Sequence, residues 1–169
     1  MKAFLILIAG LLIFLLSNCS DPSKEEIKTV VNTFFKSRKD FRDIDKNLMT
    51  TSLSSLIEKT VAIEIADGER IKKSEYPTDK PMCIEGDIFS SLYEGQDSLK
   101  IIDIKTEDNK ATVTIELTNT LFKQSWEDKV ILIKDSTWKI DNVIFKAGNM
   151  ETKSTKDVLT RFINSIDKQ

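Results

Sequence analysis

The chain has 169 residues, 25 basic against 27 acidic, and a formal net charge of −2. So even a balance, with charges interspersed rather than run together, argues against nucleic acid as an electrostatically held partner. Histidine is absent altogether, which removes Ser-His and Cys-His catalysis, histidine-ligated zinc and the usual physiological pH switch.

Met1-Lys2 opens an apolar run from Ala3 to Leu16, followed by Ser17-Asn18-Cys19-Ser20. One positive charge, an apolar stretch and small or polar residues read as a secretory signal. A membrane-spanning helix needs roughly 18 or more apolar residues, and this run is shorter. Leu16-Ser17-Asn18-Cys19 resembles a bacterial lipobox, with Asn18 where Gly, Ala or Ser is usual. The resemblance implies that residues 1–18 are removed and that Cys19 is the lipidation site. The expected first partner is therefore a membrane, and the expected location is the cell envelope outside the cytoplasm. Each buried acyl methylene holds such an anchor by about 0.8 kcal/mol, and two or more chains make it stable. Loss of Lys2 with the signal leaves 24 basic against 27 acidic residues, a net charge of −3.

Residues 19–24 read as a tether and 25–169 as one domain, about the size that folds around a single core. With Cys19 lipidated, Cys83 has no partner within the chain, so no disulfide framework is expected. Its neighbours Pro81, Met82 and Ile84 predict a buried, inert thiol.

Asp21-Pro22 and Ser23-x-x-Glu26 both offer a helix start. Ile27, Val30, Val31, Phe34 and Phe35 then fall on one helical stripe. Asp40 to Thr51 reads as a short helix or turn. A longer helix takes in Leu53, Leu56, Ile57, Val61 and Ile65, with Asp67-Gly68 as its end or kink. Ala62-Ile63-Glu64-Ile65 is also compatible with extended structure, because β-branched residues suit strands. Two prolines and Gly86-Asp87 make Tyr76 to Phe89 a shaped loop, and Ser90 to Gly95 has room for one more turn.

Leu99 to Phe145 predicts four strands. In the clearest, Ala111, Val113, Ile115 and Leu117 alternate with Thr112, Thr114, Glu116 and Thr118, one apolar and one polar face. Leu99–Lys105, Trp126–Lys134 and Trp138–Phe145 complete an antiparallel meander, since the connections are too short for anything else. A two-residue or a three-residue turn at Asp135-Ser136-Thr137 would set opposite registers, and Val130 to Ile133, apolar on both faces, leaves that choice open. Gly148-Asn149 breaks the chain before a last helix capped by Ser154 and Asp157, with Val158, Leu159, Phe162, Ile163 and Ile166 on one face. The expected class is α+β: N-terminal helices packed on a curved four-stranded antiparallel meander, plus a C-terminal helix.

That order resembles the nuclear transport factor 2-like, or cystatin-like, fold over roughly Ile27 to Phe145. Asp79-Lys80-Pro81, Glu85-Gly86-Asp87-Ile88-Phe89 and Trp138-Lys139-Ile140-Asp141-Asn142-Val143 resemble periplasmic and lipoprotein families without an assigned function. The resemblance implies a cone with a pocket between helices and concave sheet. In enzymes of that fold Asp, His or Tyr act in the pocket; elsewhere side chains fill it, or it serves as a protein-binding or dimerising surface.

Without histidine, acid–base chemistry would fall to carboxylates, Tyr76 or Tyr93. Asp87 stands out in its loop, where a turn role is the simpler expectation. Asp128, Glu116 and Asp141 lie on strands of unfixed facing. No acidic spacing suggests a metal, and no cofactor is expected. Asp79, Lys80, Asp87, Trp126 and Trp138 are the candidate binding residues, the tryptophans as core side chains or as anchors for an interface. The expected function is a membrane-anchored, non-catalytic binding or interaction module, such as an immunity or envelope-assembly factor. Its partner would be another protein or a second copy of the chain. The alternative is a small-molecule pocket protein or carboxylate-based enzyme, which a cone plugged by Phe34, Phe35, Leu56 and Trp138 would disfavour.

Overall fold

The computed structural model of the chain describes residues 21–37, 40–146 and 152–166. Residues 1–18, read above as a signal, and the expected lipidation site Cys19 lie outside them, as does the expected chain break at Gly148-Asn149. Helix α1 spans Pro22–Ser37 and α2 Thr51–Lys72, followed by strands β1 Ser98–Glu107, β2 Lys110–Asn119, β3 Gln124–Lys134 and β4 Trp138–Phe145, and then helix α3, Thr155–Ile166. The strands lie in the order β1-β2-β3-β4, every pair antiparallel. The chain is an α+β fold with a curved meander. No helix of the described residues is long and apolar enough to cross a membrane.

The period of two in β2 does what it predicts: Ala111, Val113, Ile115 and Leu117 are fully buried. Their partners across the sheet are Trp126, Asp128, Val130 and Leu132 on β3, which fixes the inward row of that strand. The turn after β3 is the three-residue one, with Lys134 opposite Trp138 and Asp135 N–H bonded to Thr137 O at 3.2 Å. Trp138 and Ile140 therefore face inward, and an extra residue at Asp141 shifts the register beyond them. A second bulge, at Ile102 in β1, bends the opposite edge.

Helix α1 covers the inward face with Ile27, Val31 and Phe34, all fully buried. The Phe34 ring meets Phe35 and Phe89 edge-on at 5.3 and 5.0 Å, so aromatic side chains fill the space between helix and sheet. Asp21 caps α1 by accepting the Ser23 N–H at 3.0 Å. Ser23 and Glu26 are used differently: they accept the Trp138 indole N–H at 3.1 Å and its backbone N–H at 3.3 Å. The first turn of α1 is thereby tied to the start of β4. Helix α3 starts as expected, with Asp157 N–H on Ser154 Oγ and Lys153 N–H on Asp157.

Two expectations are corrected. Helix α2 does not end at Asp67-Gly68 but runs on to Lys72. Ile71, four turns from Ile57 on the same stripe, is buried and holds the last turns down. Ion pairs Asp67–Arg70 and Glu69–Lys72 support that end. Ala62 to Ile65 is accordingly helical. Cys83 is half-buried rather than buried, because the strap that carries it lies over α2 instead of entering the core. That strap is pinned by carboxylates: Met82 N–H binds Asp67 at 2.7 Å and Ile84 N–H binds Glu64 at 2.8 Å. The Met82 bond, followed by Arg70, holds the Asp67 carboxyl below its ordinary value.

Candidate functional site

The loop from Glu85 to Asp97 is built on two glycines. Gly86 (φ +76°) and Gly95 (φ +71°) take the left-handed conformation that costs other residues energy. Asp87 N–H donates to Tyr93 O at 2.8 Å, closing the loop on itself, and Asp87 Oδ1 accepts the Phe89 N–H at 2.7 Å. A side chain at Gly95 would set its Cβ 2.6 Å from Asp87 Oδ2. Three elements clamp the loop from outside. Asn119 of β2 donates to Gly95 O at 2.8 Å, Thr155 of α3 donates to Ile88 O at 2.7 Å, and Asp128 of β3 accepts the Ser91 N–H at 2.8 Å and its hydroxyl.

Between this loop and the last turns of α1 lie two adjoining hollows of about 400 and 480 Å³. Phe35 and Gln96 line both. The first continues along Asn32, Lys36, Asp97, Ser98 and Leu99; the second takes in Asp40, Phe41, Asp87 and Tyr93. Gln96 Oε1 is buried and has no hydrogen-bond partner among the described residues. Its wall is otherwise well tied. Asp97 accepts the Thr120 N–H at 2.7 Å and hydroxyl at 2.5 Å, and the Thr120 hydroxyl and N–H hold its carboxyl below the ordinary value of 3.8. That tie is complete above the ordinary value and is lost only as pH falls through the lower folded one.

The chain is matched by no family model and by no curated protein. Chemistry must therefore be judged from the side chains themselves.

Of the candidate binding residues, only Asp87 lies in the hollows. Asp79 and Lys80 sit outside, on the exposed strap. Lys80 pairs with Glu85, holding that carboxyl below its ordinary value, and Glu85 accepts the Tyr93 hydroxyl at 3.4 Å. Burial first, then Glu85, pushes the Tyr93 phenol up. Trp126 and Trp138 are core side chains, 9% and 3% exposed, and not surface anchors. Both belong to inward rows, and their indole N–H groups are bound to Asp128 and Ser23.

Gln96, Phe35 and Phe41 are the site residues that sequence reading missed. Phe35 belongs to the apolar stripe of α1, and a lone glutamine before a strand carries no pattern. Of the carboxylates on the hollows, Asp40, Asp87 and Asp97 are engaged in scaffolding, and Glu94 is exposed on the wall of the second. Asp40 binds the Arg42 guanidinium at 2.9 Å, and Asp87 holds its own loop. Among the described residues no three Cys, Asp or Glu side chains converge as metal ligands would.

Asp87→Ala should lower stability by about 0.5–2 kcal/mol, by analogy with a lost helix cap, while Asp87→Asn keeps the Phe89 acceptor and part of that stability. Paired thermal melts check this. Unchanged melting in both variants would remove Asp87 from the scaffold.

Proposed function

We propose that this protein is a lipid-anchored component of a bacterial cell envelope whose domain binds a partner without catalysing a reaction, and that the groove around Phe35 and Gln96 is where it binds. The lipobox-like Leu16-Ser17-Asn18-Cys19 supports the anchor. The observation that carries the binding role is Gln96 Oε1, a buried acceptor without a donor among the described residues, at the wall shared by both hollows. Leaving such a group unpaired costs about 1–3 kcal/mol. A side chain of similar length without the oxygen would avoid that cost, so its retention fits a ligand that supplies the donor.

The layout suits a tether. Cys19 precedes α1 by three residues, while the groove lies against the opposite end of this 16-residue helix, about 24 Å along its axis. A domain held by its first turn presents that end away from the attachment point. The engagement of Asp40, Asp87 and Asp128 in hydrogen bonds favours binding over carboxylate catalysis.

Gln96→Met tests the reading. Purified away from its partner, the variant should melt at or above the wild-type temperature, because the orphan acceptor is gone. In intact cells the wild type should melt higher than when purified, since a bound partner stabilises the folded state, and the variant should lose that gain. An equal gain in both proteins would contradict binding at Gln96.

A further inference from the structure

Strands β2 and β3 are joined by Thr120-Leu121-Phe122-Lys123. Tight turns usually carry glycine, asparagine or aspartate, which take up the backbone shape at low cost. Here the two central positions hold leucine and phenylalanine, 82% and 48% exposed, and Leu121 is the most exposed large apolar side chain of the described residues. Lys123 adopts the left-handed conformation (φ +53°) in which glycine is at ease. The loop is firmly held all the same. Thr120 is bound by its N–H and hydroxyl to Asp97 at 2.7 and 2.5 Å, and Phe122 N–H donates to Asn119 Oδ1 at 3.1 Å. Lys123 N–H donates to Thr120 O at 3.3 Å. Asn119 is itself buried and donates to Gly95 O at 2.8 Å. A loop so tied keeps two apolar side chains in solvent, where folding alone gains nothing from them.

We propose that this hairpin tip is a second membrane contact, with Leu121 and Phe122 entering the lipid interface and the Lys123 ammonium at the headgroups. The proposal rests on the lipid anchor at Cys19 and goes beyond it in giving the domain a stance. Size, shape and tethering select a bilayer over a protein. The patch is two side chains wide, with exposed Thr120, Lys123 and Gln124 around it, whereas a stable protein interface takes roughly 20–30 residues a side. The same small area disfavours a second copy of the chain. The patch protrudes, and a fluid bilayer needs no matching shape to receive it. The anchor proposed at Cys19 already holds the chain at a membrane, so a contact too weak to form from solution becomes effectively intramolecular. Lysine suits its place, because its stem lies along apolar groups while the ammonium reaches the headgroup phosphates.

Tip and anchor lie at opposite ends of the sheet. The first turn of α1 is bound to Trp138, which pairs with Lys134 at the end of β3. The tip adjoins Gln124 at the start of that strand, whose 11 residues span about 35 Å. Contacts that far apart lay the domain along the membrane instead of upright on it.

The test seats the lipidated protein, purified from membranes, in vesicles of phosphatidylcholine and phosphatidylglycerol whose acyl chains carry bromine, a contact quencher of indole fluorescence. Phe122→Trp supplies the probe, since Trp126 and Trp138 are buried in the core. Its emission should be quenched, and that of the wild type should not. Adding Leu121→Ser should lower the ratio of inserted to free tips about tenfold, the effect of withholding one large apolar side chain from lipid, with the melting temperature unchanged. Lys123→Gly, combined with the probe, should melt at or above its parent, because the left-handed residue is now glycine, yet be quenched less. A Phe122→Trp protein retained on vesicles but unquenched overturns the second contact and leaves the anchor standing. A purified chain that carries no lipid and does not stay on vesicles overturns both. A photo-crosslinker in place of Phe122 that captures a protein instead of lipid in intact cells assigns the tip to a protein and overturns the bilayer.

Discussion

Replacing Asp128 with alanine should lower stability by about 4 kcal/mol, the sum expected for several buried donors losing their acceptor. For a chain of this size that is roughly 8–16 °C in melting temperature. The carboxylate is fully buried and accepts from four groups: Ser91 N–H at 2.8 Å, the Ser91 hydroxyl, Trp126 Nε1–H at 3.1 Å and Lys146 N–H at 2.9 Å. The hydroxyl can rotate to another acceptor, but the three N–H groups are fixed by backbone and ring. These bonds join the glycine loop, the middle of β3 and the end of β4, so the loss is felt at the candidate site as well as in the melt. Asp128→Asn should rescue little, because its amide turns two hydrogens toward donors. At Asp87, where one acceptor oxygen meets the Phe89 N–H, asparagine should rescue more. A drop for Asp128→Ala no larger than that for Asp87→Ala would show that the buried carboxylate is not a structural hub.

The second large effect is expected at Arg42. Its guanidinium forks onto both oxygens of Glu64 at 2.7 Å, reaches Asp40 at 2.9 Å and donates to Ile84 O at 2.9 Å, while stacking 4.1 Å from the Phe41 ring. The Glu64 bond, then those to Asp40, raises the pKa of Arg42 above its ordinary value against the effect of burial. The Glu64 side chain is only 9% exposed, so Arg42→Ala strands a charge with Ile84 N–H as its remaining partner. Breaking a buried pair this way costs about 3 kcal/mol or more. Lysine cannot reproduce the fork, and Arg42→Lys should recover less than half. Arg42→Met combined with Glu64→Gln should be more stable than Arg42→Met alone, because the stranded charge is gone. Denaturant melts of the four proteins measure the coupling. Strict additivity would mean that the pair is a surface contact without consequence.

Local pattern carried most of the architecture. The alternation of Ala111 to Leu117 and the stripes Ile27-Val31-Phe34 and Leu159-Ile163 are repeated signals, and each is buried where its period places it. Long-range pairing carried the rest and leaves no such trace. Arg42 meets Glu64 across 22 residues and Ser91 meets Asp128 across 37, and nothing in either neighbourhood marks the partner. The facing of Asp128 follows from its pairing with Ile115 of β2, which a strand apolar on both sides over Val130 to Ile133 does not reveal by itself. Gly68 misled because a glycine in a helix is a local cost, whereas the burial of Ile71 is a tertiary gain. Gln96 was invisible for another reason: an orphan acceptor is defined by what fails to surround it.

The proposed function places the domain at a membrane surface, held by its N-terminus, and Cys19 is where that is tested. Cells expressing the full chain are fed an alkyne-bearing fatty acid, and the protein is recovered from membrane and soluble fractions and assayed for label. The wild type should carry the label and sediment with membranes, whereas Cys19→Ala should carry none and lose membrane retention. Equal label in the variant and the wild type would place the lipid elsewhere or nowhere on this chain and contradict the tether.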